Sequence, residues 1–444
     1  MKERRRARLR LSPKITLCIE EIPTSYTAAL GFFIGCGARH EPKDLWGVTH
    51  LCEHLFFKKT SKRSAVEISR QSERMGGELN AYTDRELTSF HADCPVEQFD
   101  EMLEILLEML LDPHFDSKDF DSERDVVGQE ILAYEDNPED IFNDLALEVP
   151  WQGHPLGLRI GGSSKQVPRL QLDSTYKYLE EVFLASPWVI SVVSPLPIRE
   201  VKRAVLSQLE KAKGLRFAEA LTQTRRPKAR GATPRMPRPW HKRSLNHKIE
   251  SEQVQVAFAY PGLPAKHRDE VQLAALSSIL GVGASSLLYR ELREKAGLVY
   301  HASASHQAFT DAGLVMGQWS CGIGTFEETA FRSGEICGRL SRGVDASDID
   351  YMKECLTGAT KMSFDGLRGR MDAMGRQEII IGRSFDLSQT LGEVKKIRKS
   401  AVDRYAKMLG QMPSLLMVGP LGKREMLRLG AAWQKGLNEG LSRK

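Results

Sequence analysis

Gly47-Val48-Thr49-His50-Leu51-Cys52-Glu53-His54-Leu55-Phe56-Phe57 is the stretch on which the reading of this chain turns. Residues four apart share a helix face, so the spacing predicts a helix with His50 and His54 one turn above each other. Leu51, Leu55 and Phe56 supply its apolar packing. Two imidazoles held in this way can bind one zinc ion, and Glu53 is close enough to act on water at the metal. The H-x-x-E-H order fixes only three residue types. Alone, it also suits two helix histidines that merely pair with neighbouring acids.

Working outward, residues 15–19 and 28–34 read as strands rich in β-branched and aromatic residues, and Gly35, Gly37 and Pro42 mark a turn region between them and the motif. Residues 64–75 read as a helix stopped by Gly76-Gly77. After Glu78-Leu79-Asn80-Ala81-Tyr82-Thr83, the residues Thr88, Phe90, Ala92 and Cys94 alternate with Ser89, His91 and Asp93, the period of paired strands. A polar edge strand there could accept an extended peptide by strand addition, or it could belong to a solvent-facing hairpin. Residues 96–111 form an amphipathic pattern of core type. Beyond Asp112-Pro113 a further helix carries Glu123 and Glu130, seven apart and therefore on one face. A carboxylate from a separate helix commonly completes a two-His zinc site. With 58 acids in the chain, spacing alone does not choose among them.

Composition bounds the alternatives. The 444 residues, 41% hydrophobic and 27% charged, suit a globular protein of two or three domains. No run of 18 apolar residues is present, so no membrane span is expected. The N-terminus is basic but no apolar h-region follows it, so export is not expected. Seven cysteines without a C-x-x-C do not make a disulfide framework, which points to a reducing, cytoplasmic setting. Residues 1–14 carry seven Lys/Arg against one Glu, and residues 222–243 carry eight and no acid. The rest of a chain with net charge +5 therefore holds −9. Neither basic run is interleaved with aromatics in a nucleic-acid module, whereas an acidic body would attract basic peptides.

Several motifs at fixed separations carry a resemblance. They are Gly35-Cys36-Gly37-Ala38-Arg39-His40-Glu41-Pro42, the histidine motif, Lys59-Thr60, Gly76 to Thr83, Glu123-Arg124, Glu130-Ile131 and His154-Pro155-Leu156-Gly157. In the second half they are Leu280-Gly281-Val282-Gly283, Ser285-Ser286 and Arg293-Glu294-Lys295-Ala296-Gly297-Leu298-Val299-Tyr300. Over about residues 15–420 the chain resembles the pitrilysin-type inverted-zincin metallopeptidases, in the two-domain branch of mitochondrial processing peptidase and its bacterial relatives. Where relatives place an Asn-Gly turn before the first strand pair, this chain has Ser12-Pro13-Lys14.

The resemblance implies an α+β fold of two similar α/β-sandwich halves, each a mainly antiparallel sheet covered by helices, enclosing a cleft. The expected division is a basic tail at 1–14, a zinc-binding catalytic domain at 15–221, a basic Pro-rich linker at 222–243 and a second domain without zinc at 244–444. The resemblance also implies His50, His54 and Glu130 as ligands of one zinc per chain, Glu130 standing 76 residues beyond His54 as in the family. Glu53 is implied as general base toward a zinc-activated water, Glu123 as a supporting acid, and Asn80, Ala81, Arg293 and Tyr300 as substrate-binding groups, with Tyr300 also stabilising the transition state. In the second half His267-Arg268-Asp269-Glu270 is followed by Val271, so the last ligand of a second site is missing. The implied activity is a zinc-dependent endopeptidase acting on peptides or unfolded segments, as a homodimer or beside a homologous subunit. The alternatives are a non-catalytic or partner-dependent subunit, or a protease devoted to maturing one precursor peptide.

Overall fold

The apolar and small residues of 15–21 and 27–34 make strands that are buried on both faces, and a strand of that kind needs cover above and below. The computed structural model describes residues 5–215, 217–218 and 243–442. The linker expected at 222–243 lies outside the described residues, Arg243 excepted.

In the first unit β1 (Arg5–Arg10), β2 (Ile15–Glu21), β3 (Thr27–Ile34), β4 (Glu78–Thr83), β5 (Thr88–Pro95) and β6 (Trp188–Ser194) form a sheet in the order β1-β2-β6-β3-β5-β4. Only the β2·β6 pair is parallel. On one face lie α1 (Val48–Phe56), α2 (Ala65–Arg74), α3 (Phe99–Leu111) and α4 (Ser117–Asp136), with Leu51, Phe56, Phe90, Leu103 and Leu106 in a shared core. The region read as one helix over 96–111 begins with a short 3-10 turn, Val96–Gln98. At the start of the sheet, Ser12 Oγ accepts the N–H groups of Lys14 and Ile15, a local turn in the place of Asn-Gly.

The opposite face of this sheet is covered by the helix Leu367–Ile381, from the far half of the sequence. The approach is close. A Cβ on Gly31 of β3 would stand 2.4 Å from the Met371 sulfur, and one on Gly375 would stand 2.0 Å from the Phe33 ring. Two expectations change here. The division of the chain is not a single cut at the linker: one unit comprises residues 5–133, 158–215 and 362–386, the other 134–157, 243–361 and 387–442. The basic segment read as a tail is, from Arg5 to Arg10, an edge strand, because its arginines find buried acids. Arg6 meets Glu20 at 3.0 Å and Arg8 takes Glu378 with two bonds of 2.7 and 2.8 Å. Glu20 also pairs with Arg370 at 2.8 Å, and both are almost fully buried.

The helix also explains why the polar positions of β5 do not face water. His91 and Ser89 lie buried on that face, with Arg368 bonded to Asp93 and Arg376 to Tyr82 and Asp84. Burial, aided by the charge of Arg368, pushes His91 down to about 4. Its neutral form is therefore favoured in the fold, and the contribution is present above the unfolded value near 6.5 and is lost as pH falls toward 4. Between pH 7 and pH 5 the starting protein is expected to lose about 2 kcal/mol more stability than His91→Gln. Denaturant unfolding of both proteins at the two pH values measures the difference; equal losses would contradict it.

The second unit repeats the first. Strands β7 (Ser244–Lys248), β8 (Gln253–Gly262), β9 (Val299–Ala308), β10 (Gly313–Gly322) and β11 (Ser414–Gly419) form a sheet in the order β7-β11-β8-β10-β9, with β7·β11 parallel. This is the β2-β6-β3-β5-β4 arrangement again, pair by pair and direction by direction. One face packs Leu276, Leu340 and Trp433 from three helices of the second half. The other packs Phe142 and Leu145 of the helix Pro138–Glu148, from the first half. Each sheet thus takes one covering helix from the other half of the sequence.

Candidate metal centre

Helix α1 starts at Gly47, whose φ of +93° belongs to the left-handed region where glycine is at ease. A Cβ there would stand 2.8 Å from the carbonyl oxygen of Gly161, so the loop through Gly161 and Gly162 closes directly over the helix start. His50 follows in the first turn and His54 one turn on, their rings 4.8 Å apart and 74° to each other. Leu51, Cys52 and Leu55 point into the core and hold the helix in register.

The third group comes from α4, whose Phe120, Val127 and Ile131 are buried and leave Glu123 and Glu130 facing α1. Glu130 lies 3.5 Å from His54 Nε2 and 4.0 Å from His50 Nε2. One donor atom from each of His50, His54 and Glu130 falls within 4.8 Å of the others, the one such grouping of three among the described residues. Two imidazole nitrogens and one carboxylate oxygen are a zinc donor set that leaves a fourth position open.

Electrostatics agree with that use. Burial, then the neighbouring His54, lowers His50 to about 4, which keeps its imidazole neutral and its lone pair available. His54 Nδ1 lies 3.2 Å from Glu123, an interaction that raises the His54 pKa and leaves Nε2 turned toward Glu130. Burial alone would raise Glu123, but its bonds to His54 and to Lys58, the latter at 2.5 Å, hold it below the usual carboxylate range. A buried carboxylate that fixes the ring and tautomer of a ligating histidine is the usual support of such centres. Glu53 lies on the same helix, its carboxyl raised chiefly by burial and bonded by Thr83 Oγ1 from the end of β4.

The remaining expected residues fall in two places. Asn80 and Ala81 lie on the edge strand β4, where the Asn80 side chain accepts the Ala81 N–H at 2.8 Å. Arg293 and Tyr300 belong to the second unit, where the Arg293 guanidinium lies 5.1 Å from the ring of the exposed Tyr300. Tyr289 faces the same guanidinium at 4.8 Å and accepts a hydrogen bond from it. In this unit Glu270 lies 3.2 Å from His306 Nδ1. Lys58, Thr83 and Tyr289 were missed by sequence reasoning. Lys58 stands four residues beyond His54 and Tyr289 four before Arg293, so helical spacing held a signal for both.

Known proteins resemble this chain over most of its length. Residues 16–164 match the family described as Insulinase (Peptidase family M16), and residues 169–353 match the Peptidase M16 inactive domain. A Bacillus subtilis protein named uncharacterized zinc protease YmxG is 28% identical over 411 residues, covering 92% of this chain and 97% of its own. An uncharacterized zinc protease of Mycobacterium tuberculosis is 27% identical over 416 residues, covering 92% of each chain. Among solved structures, a peptidase M16 inactive domain from Pseudomonas fluorescens superposes with a TM-score of 0.82 at 16% identity, covering 94% of this chain and 98% of its own. A protease from Helicobacter pylori gives 0.82 at 19% identity, covering 94% of this chain and all of its own.

Proposed function

The chain belongs to the insulinase-type peptidase family M16, and from that membership we propose that it is a zinc-dependent endopeptidase acting on peptides or unfolded segments. The observation that carries the reading is the meeting of His50, His54 and Glu130 beside Glu53. Those three residues would hold the ion. When bound, zinc lowers the pKa of a coordinated water to about 7 and polarises a carbonyl.

Glu53 takes a proton from the attacking water and delivers it to the leaving amine, a task suited to a carboxyl raised by burial. Glu123 and Lys58 keep the His54 ring in place. Among the described strands β4 is an edge of its sheet, and an edge strand offers backbone groups to an extended peptide, which supports recognition with little regard for side chains. Asn80 and the Ala81 backbone serve that strand, and the family likeness assigns Arg293 and Tyr300 to the substrate as well. Basic peptides are the preferred substrates, and the seven free cysteines support a reducing, cytoplasmic compartment.

The test is metal analysis with digestion of unstructured peptides, before and after chelation and zinc restoration. About one zinc per chain is expected, with cleavage lost on chelation and regained with zinc. A protein that binds no zinc, or that cuts equally after chelation, ends the reading. If it binds zinc but cuts only after a homologous subunit is added, the partner-dependent form of the activity holds.

A further inference from the structure

The metal helix begins in an unusual way. Its N-cap is Gly47, which has no side chain with which to satisfy the free N–H groups of the first turn. Glycine is required there by the backbone of Gly161, so the capping acceptor must come from elsewhere. It comes from Glu41, six residues upstream. Glu41 Oε2 accepts the Gly47 N–H and Oε1 accepts the Thr49 N–H, both at 2.8 Å. The Thr49 hydroxyl is tied in turn to Tyr178 at 2.7 Å, and Tyr178 to Cys36 at 3.2 Å, all within the core.

The residue after Thr49 is His50. A carboxylate that grips the backbone on both sides of Val48 fixes the rotation and height of the turn that presents this ligand. Burial pushes the Glu41 carboxyl up to about 7, and against that the two N–H groups, at the positive end of the helix, favour its charged form. By contrast α2, which carries no ligand, is capped in the ordinary way by Ser64 with Glu67.

We propose that Glu41 is a positioning residue for the metal centre, holding the first turn of α1 so that His50 meets His54 and Glu130. The inference rests on the zinc reading above. Zinc affinity, measured by competition with a chromogenic chelator, tests it on Glu41→Ala, Glu41→Gln and, as a matched control, Ser64→Ala. Glu41→Ala is expected to bind zinc about tenfold or more weakly, the range seen when groups that orient ligands are removed. Glu41→Gln, which keeps one acceptor oxygen and stays folded if the smaller side chain does not, is expected to fall between. Ser64→Ala is expected to lower stability but bind zinc as the starting protein does. Unchanged affinity in both Glu41 variants overturns the proposal, as does an equal loss in Ser64→Ala, which would mean general loosening. A starting protein that binds no zinc refutes the endopeptidase reading instead, and the two failures are thereby distinct.

Discussion

Glu53→Gln is expected to retain zinc and to cleave peptides on the order of 10² to 10⁴ times more slowly, the contribution of a positioned general acid and base. The amide has nearly the same shape as the carboxyl and can still accept the bond from Thr83 Oγ1, so α1 and its two histidines have no reason to move. What it lacks is any capacity to take a proton from water and pass it to an amine. Glu53 is not among the three clustered donors, so the ion should remain. Metal content and kcat at saturating peptide separate the possibilities. A variant as fast as the starting protein removes Glu53 from the mechanism, and one that loses its zinc makes Glu53 a ligand.

The largest effect on stability is expected at Glu20, far from the metal. Its side chain lies in the core of the first unit between Arg6 and Arg370, and the Arg370 guanidinium is equally buried. Glu20→Ala leaves that guanidinium with its desolvation cost and without its carboxylate, a change that typically costs about 3–5 kcal/mol. Replacing both partners by apolar groups is often close to neutral, so Glu20→Ala combined with Arg370→Met is expected to recover most of the loss. Urea unfolding of the single and double variants checks this. A double variant no more stable than Glu20→Ala alone would mean that packing, rather than the stranded charge, sets the cost.

Much of the centre could be read from residues close in sequence. His50, Glu53 and His54 share one helix, and Glu123 and Glu130 share another, so helical geometry already put each set on a face. Joining the two sets took the family separation, because no local rule brings α4 to α1. The same limit explains the misread edge of the first sheet. Arg5–Arg10 looks like a tail until Glu378 is known to be its partner, and that residue lies 370 positions away. The alternating pattern of β5 marks one polar face correctly, but period alone does not say whether water or a helix such as Leu367–Ile381 will cover it. Gly47 is similar. Its backbone angle is set by the Gly161 loop, more than a hundred residues on.

The exchange of covering helices bears on how the protein is made. Glu20 and Arg370 are 350 residues apart, and ribosomes add about 5–20 residues each second. The first sheet is complete only with β6, which ends at Ser194, so its wait for the helix that begins at Leu367 is about 10 to 35 seconds. During that interval Phe33, Val189 and Val193 have no partner helix on the growing chain, an interval in which a chaperone has something to hold. Cutting the gene between the two halves would make the interval permanent, so they should be produced as one continuous polypeptide.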